Sequence, residues 1–431
     1  MKGNFKIVML VICIIAAVFG ILVFAGLITI GSDKNEEGSL GTVIIWGTDK
    51  MQNLAKPIEN FNKVNTTFTV KYVQKDAETF DEDLLEALAS GTGPDMFFIS
   101  NELAHKYSNK IYTIPYTSYP LASFKGTFAS AGDVFLTSNG VLAFPLTIDP
   151  IVMYYNRSIL DSSNVIYPPT NWTELTNLVP SITVKDGSNK ISTSTVALGQ
   201  FSNILHAKDI LVTLFMQAGN SIVTESNGTF SSVLDSTDSK YSLSSMLEYY
   251  TNFSDPLSDT YSWNKSLANS QDYFSSENLA FYFGYASEME TLVNKNPNLN
   301  FLVSAIPQIE NSKTKVTNSK VTGIAISSFS KNFSTAFTAA SLMSTGSFAS
   351  DYIKATSYIP ARRDLLSEKK TDAFSPIFYA SALYAKSWID PSSEDTNDIF
   401  RTMIDGTLSN SLSTNEAIKD SSAKLDLLLA K

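Results

Sequence analysis

Two short stretches end in side chains suited to holding a polar molecule. Trp46-Gly47-Thr48-Asp49 closes the apolar run that begins at Thr42, and Ser100-Asn101-Glu102 closes Met96-Phe97-Phe98-Ile99. Carboxylates and amides can hydrogen-bond a polar ligand, and aromatic faces can pack on its apolar surfaces. Covalent chemistry has less support. The two histidines, His105 and His206, are far apart in the chain, which argues against a histidine-based metal site and against a Ser-His-Asp triad. No nucleophile elbow or phosphate-cradling glycine loop occurs. Ser328-Phe329-Ser330-Lys331 fits a Ser-x-x-Lys pattern, but its usual partner motifs are missing. Asp33, Asn35 and Gly38 imitate the start of a calcium loop, yet Ile44 stands at the twelfth position, where that loop needs a bidentate Glu. Sequons such as those at Asn65, Asn227 and Asn332 are what a chain rich in Asn, Ser and Thr contains by chance. The expectation is a binding protein with no catalytic residue, metal or cofactor.

These residues need a frame, and the pattern supplies one. The chain has 431 residues, 44% apolar and 17% charged, enough for a large core in two or three domains. A net charge of −10 disfavours nucleic acid as a partner. Thr42–Trp46 reads as a strand, followed by a helix face at Leu54, Ile58 and Phe61 with Thr48 or Asp49 as its N-cap. Phe68, Val70 and Tyr72 alternate as a second strand. Thr79 and Glu82 form a capping box ahead of Phe80, Leu84 and Leu88, and Gly91 stops that helix. Gly91 and Gly93 are expected to take positive φ, and Pro94 forbids further helix before the strand Met96–Ile99. This βαβαβ order implies right-handed crossovers and a mostly parallel sheet, with ligands beyond the carboxyl ends of its strands. Trp46, Asp49, Asn101 and Glu102 would then converge at one sheet edge.

The N-terminus points to a membrane. Lys2 and Lys6 precede an uncharged run from Ile7 to Ile30, and a bilayer-spanning helix needs about 20 apolar residues. Lysines before it and Asp33, Glu36 and Glu37 after it place the N-terminus inside and the bulk outside. A cleavage site at Val23-Phe24-Ala25 fits less well, because the run is long for a signal peptide. Leu10-Val11-Ile12-Cys13 is a poor lipoprotein box, since Ile12 is bulky and the apolar run continues past the sole cysteine. Residues 31–41 read as a flexible linker.

Seven blocks, in order, resemble the extracellular solute-binding proteins of ABC importers, in the group that contains maltose-binding protein. They are SGTGPDMFFIS (90–100), NGVLAFPLTIDPIVMYYNRSIL (139–160), PPTNWTEL (168–175), LFMQAGNSIV (214–223), LAFYFGYASEM (279–289), GIAISSFSKNFSTAFTAASLM (323–343) and YIPARRDLL (358–366). The resemblance implies an α/β, two-lobe periplasmic-binding-protein-like (type II) fold with a hinge and an interlobe cleft, here preceded by an N-terminal transmembrane helix. Expected boundaries are 1–40 for anchor and linker, 41–147 and 310–354 for lobe 1, and 148–309 and 355–431 for lobe 2. Crossing segments are expected near Ala143–Leu146 and Ala305–Pro307.

The same resemblance supplies further site residues. Asp149 matches an acidic residue of the family that faces the cleft; its alternative is an Asx turn imposed by Pro150. Where many members carry a stacking tryptophan, this chain has Ala286, so the platform is absent or moved to Tyr285 or Phe283. Trp46 either stacks on ligand or caps a core. Arg362 either contacts ligand or pairs with a surface carboxylate. The implied function is capture of a small solute, a sugar or oligosaccharide, by a monomer that delivers it to ABC permease subunits while held in the lipid bilayer through residues 7–30. The alternatives are a ligand-presenting sensor for a membrane receptor and an extracellular carbohydrate-active enzyme.

Overall fold

The computed structural model describes residues 40–236 and 241–430. The expected anchor at 7–30 lies outside the described residues. Among the described residues, no helix is long and apolar enough to cross a membrane.

Strand β1 (Thr42–Gly47), helix α1 (Met51–Val64), strand β2 (Thr69–Gln74), helix α2 (Phe80–Ser90) and strand β3 (Met96–Ser100) form the expected βαβαβ unit. β1 lies between β2 and β3, parallel to both. Val43 and Ile45 alternate into the core, whereas every residue from Met96 to Ile99 is buried, as befits an inner strand covered on both faces.

The local end signals fared unevenly. Neither Thr48 nor Asp49 caps α1. Lys50 holds the N-cap position without a side-chain bond, and the Met51 amide donates to Gln74 Oε1 at 2.7 Å. Thr79 has φ −105° and ψ −2°, so its side chain does not cap α2 and the expected box is not made. Gly91 does take the left-handed conformation, with φ 72° and ψ 18°. Gly93 is not among the positive-φ glycines; a Cβ there would crowd the preceding helix, 3.2 Å from the Leu88 amide nitrogen and 3.3 Å from the Ala87 carbonyl carbon.

The long strand β4 (Ala143–Asn156) then crosses the molecule. Strand β5 (Ile191–Val196), helix α3 (Ala207–Gln217), strand β6 (Leu279–Tyr285) and strand β7 (Phe301–Ser304) follow. Strand β8 (Thr317–Ile326) crosses back. Helices α4 (Phe333–Thr345), α5 (Ser347–Thr356), α6 (Ser393–Leu408) and α7 (Thr414–Leu429) complete the elements used below. The sheet runs β2-β1-β3-β8-β4-β6-β5, with Val184–Lys185 at the far edge.

β4 changes partners along its length. Ala143–Pro150 pairs with β8, while Ile151–Tyr155 pairs with β6. The β8 register with β4 shifts between Thr322 and Gly323. Both of these pairings, and that of β8 with β3, are antiparallel, so the parallel expectation holds within β2-β1-β3 and fails at the crossing strands. One lobe gathers around β1–β3, the other around β5–β7, and β4 and β8 are shared. Helix α5 packs on α1, and α6 and α7 pack together, with α6 against α3.

Candidate functional site

The crossing strands bring the ends of both lobes to one cavity of about 340 Å³. Its lining includes Glu102 after β3, Lys320 on β8, Phe201 and His206–Asp209 at the start of α3, and Ser393 at the start of α6. Lys320 is the only charged residue of β8, and its register partner on β4 is Asp149. That pairing places one cation and one carboxylate side by side in the shared part of the sheet.

Lys320 is the electrostatic centre. Its Nζ lies 3.4 Å from Glu102 Oε1 and 5.1 Å from the Tyr285 ring centroid. Burial acts to lower its pKa, but Glu102, Asp209 and Asp149 more than offset that, and the ammonium titrates above its usual value. Asp149 goes the other way. Burial raises its carboxyl to about 6, against the opposing pull of the Ser287 hydrogen bonds and Lys320. Asp149 Oδ1 accepts from the Ser287 amide at 3.0 Å, and both Asp149 and Pro150 lie within β4. No local Asx turn is formed.

Helix α3 opens on an unusual residue. His206 has φ +63°, rare outside glycine and a mark of local strain. Its Nε2 lies 2.6 Å from Glu288 Oε1, and its ring meets Tyr285 edge-on at 4.8 Å. Asp209 Oδ1 accepts from Asn318 Nδ2 at 3.2 Å. Tyr285 is buried; its pKa is raised first by burial, then by the charges of Asp209, Glu102 and Asp149. Lys208 points into the protein, where its Nζ meets Asp390 Oδ2 at 2.7 Å and donates to Thr396 Oγ1 at 3.1 Å.

The remaining expected residues are occupied in different ways. Asn101 is buried, donating from Nδ2 to Trp388 O at 3.0 Å and accepting at Oδ1 from Val321 N at 3.0 Å. Its amide therefore ties β3 to β8 and to the segment before α6. Asp49 accepts from the hydroxyls of Tyr352 at 2.7 Å and Tyr358 at 2.9 Å, which is why it is not free to cap α1. Trp46 is half-buried, with Lys75 Nζ 3.8 Å above its ring. Arg362 pairs with Asp364 through Nε at 2.9 Å and donates from Nη1 to Gly346 O at 2.7 Å. The structure thus brings Glu102, Asp149 and Tyr285 together around Lys320. Trp46, Asp49, Asn101 and Arg362 are engaged by other protein groups.

Neither candidate for a relocated aromatic platform is open. Phe283 is buried against Trp172, 5.5 Å between centroids, and Tyr285 is buried beside His206. The aromatic on the cavity wall is Phe201, with the Arg401 guanidinium 5.4 Å from its ring centroid. Sequence reasoning missed Phe201, Asp209 and Lys320. Only Lys320 had a usable signal, a lone charge in an otherwise uncharged strand.

The sequence profile of a family described as bacterial extracellular solute-binding protein matches residues 56–375. The chain belongs to this family. Its fold is shared with a cyclo/maltodextrin-binding protein solved with maltotetraose, at 17% identity and TM-score 0.71, covering 91% of this chain and 98% of that one. The sugar-binding protein MalE of Xanthomonas citri gives 16% identity and TM-score 0.71, covering 90% and 97%. The maltose-binding MalE of Listeria monocytogenes, solved with maltose, gives 16% and 0.69, covering 91% and 98%. A search of curated proteins finds no match.

Proposed function

We propose that the protein captures a carbohydrate between its two lobes and delivers it to the permease of an ABC importer. The observation that carries this reading is the convergence of both lobes and crossing strand β8 on one cavity lined by carboxylates, basic side chains, hydroxyls and Phe201. The carbohydrates bound in the structural neighbours, maltotetraose and maltose among them, support the same substrate class.

Binding would work by closure. A ligand that touches Glu102 from one lobe and Asp209 from the other is held by both only when the lobes meet, so its differential affinity favours the closed state. The hinge would be β4 and β8, with lobe 1 formed by 41–147 and 310–354 and lobe 2 by 148–309 and 355–431. Residues 7–30 would keep the protein in the membrane, with the binding lobes outside.

Calorimetric titration with maltose and maltotriose, paired with solution scattering, tests the core of this reading. The expected result is saturable binding with a smaller radius of gyration and unchanged circular dichroism. Saturation without compaction refutes closure, and no binding by any sugar refutes the substrate class.

A further inference from the structure

We propose that Tyr358 is the aromatic platform of the cleft, the ring on which a bound sugar stacks its apolar face. This rests on the carbohydrate reading above and adds a residue that decides its specificity. Residues 359–361 run along β4 on the edge opposite β8. The Ile148 amide donates to Ile359 O at 2.9 Å, the Ala361 amide donates to Leu146 O at 3.0 Å, and Thr147 is bridged antiparallel to Pro360. One residue further along that register, Tyr358 stands opposite Asp149. Lys320 stands opposite Asp149 on the other side, in β8. Directly opposed residues of neighbouring strands share a face, so Lys320, Asp149 and Tyr358 form one row across the crossing strands.

Lys320 lines the cavity, and the row extends from it to Tyr358. Two interstrand spacings separate the ends of the row, about 10 Å, so a ligand that touches both has more than one sugar ring. Tyr358 is also suited to stacking. Among the described residues the exposed aromatics are Tyr167, Phe329 and Tyr358, and only Tyr358 adjoins a segment paired with β4. It is 40% exposed, yet its hydroxyl is fixed, donating to Asp49 Oδ1 at 2.9 Å. Tyr352 makes a T-shaped contact with it, 5.9 Å between centroids, and donates its own hydroxyl to Asp49 Oδ2 at 2.7 Å. Its hydroxyl pKa is raised by burial, then by Asp49, and Asp149 adds to the rise, in keeping with the row. An exposed ring already anchored at its polar tip loses little freedom when a ligand covers its face. Phe201, on the cavity wall, already has the Arg401 guanidinium against its ring.

The test is calorimetry on the full-length protein with maltotriose and cellotriose. Tyr358→Phe keeps the ring and loses only the hydroxyl, and should bind the tighter of the two within about threefold of wild type. Tyr358→Leu keeps apolar bulk without a ring, and Tyr358→Ala keeps neither; each should lose about tenfold in affinity. Thermal melts establish that all three variants are folded. Wild-type affinity in the Ala or Leu variant would overturn the platform and leave the carbohydrate reading standing. Equal losses in the Phe and Ala variants would overturn it as well, because the hydroxyl and not the ring would then be what the ligand needs. Failure of the wild type to bind either trisaccharide would overturn the two readings together.

Discussion

The two lysines that border the cavity, Lys208 and Lys320, meet opposite electrostatic situations. Lys208 is sealed, its side chain 4% exposed, with Asp390 at 2% as its own counter-ion and Thr396 filling a further donor. Lys320 is 42% exposed and shares three carboxylates, none of which belongs to it alone. The sealed pair joins α3 to the segment before α6 and holds the second lobe together. The open cluster sits on the crossing strands, where closure would bring a ligand. The same contrast separates Asp49, whose carboxylate fixes two tyrosines, from Asp149, which accepts one backbone amide and otherwise faces the cluster.

If this division holds, the two lysines should respond differently to the same change. Lys208→Met leaves Asp390 buried without a counter-ion and should cost about 3–5 kcal/mol in urea unfolding. Lys320→Met should cost less than about 1 kcal/mol, because a partly exposed ion pair is worth little, while ligand affinity changes. Equal stability losses would erase the distinction between the sealed pair and the open cluster.

The aspartates sharpen it next. Asp149→Asn keeps the shape and removes the charge, and calorimetry with maltotriose should show a fall of about ten- to hundredfold in affinity. Asp49→Asn should instead lower stability by about 1–2 kcal/mol through its two tyrosine bonds. Its effect on affinity should be the smaller of the two, since both of its carboxylate oxygens are taken by protein hydroxyls.

Asp149 also predicts a pH dependence. Its carboxyl titrates near 6 in the folded protein, above the ordinary value, so the folded state binds more protons than the unfolded state in between. Stability favoured by that proton is present below about pH 4 and is lost as pH rises through 6. Asp149→Asn should remove this slope. Wild-type and variant unfolding curves that run parallel between pH 4 and 6 would show that Asp149 has an ordinary carboxyl.

The smallest effect concerns Trp46. With one face under Lys75, removal of the indole forfeits a cation–π contact of about 0.5–1 kcal/mol and some packing on the core. Stability and affinity measured on Trp46→Ala together decide between the two roles its position allows. Lost affinity at near-normal stability marks a cleft residue, and the converse marks a structural one.

Much of the architecture was legible from local pattern. The alternation in Thr42–Trp46 and Phe68–Tyr72, the stop at Gly91 and the apolar run Met96–Ile99 each report on neighbours a few residues away, and each element formed where expected. The ordered blocks from residue 90 to 366 pointed to the family. End signals such as Thr79 misled, because a capping residue must also adopt a particular backbone conformation, which the next strand and helix decide.

The site was legible only in part. The sequence by itself determined that carboxylates and amides would stand at strand ends, since strands end where apolar runs do. It could not decide which of them are already taken. Asp49 is held by Tyr358, 309 positions away, Asn101 by Trp388, 287 away, and Lys208 by Asp390, 182 away. Glu102, Asp149 and Asp209 come together around Lys320 only because β4 and β8 run between the lobes. Local propensity acts over a turn or a strand, whereas the charge balance of a cavity is set by every element that reaches it, so only the tertiary structure could separate the carboxylates that hold the fold from those left to hold a ligand.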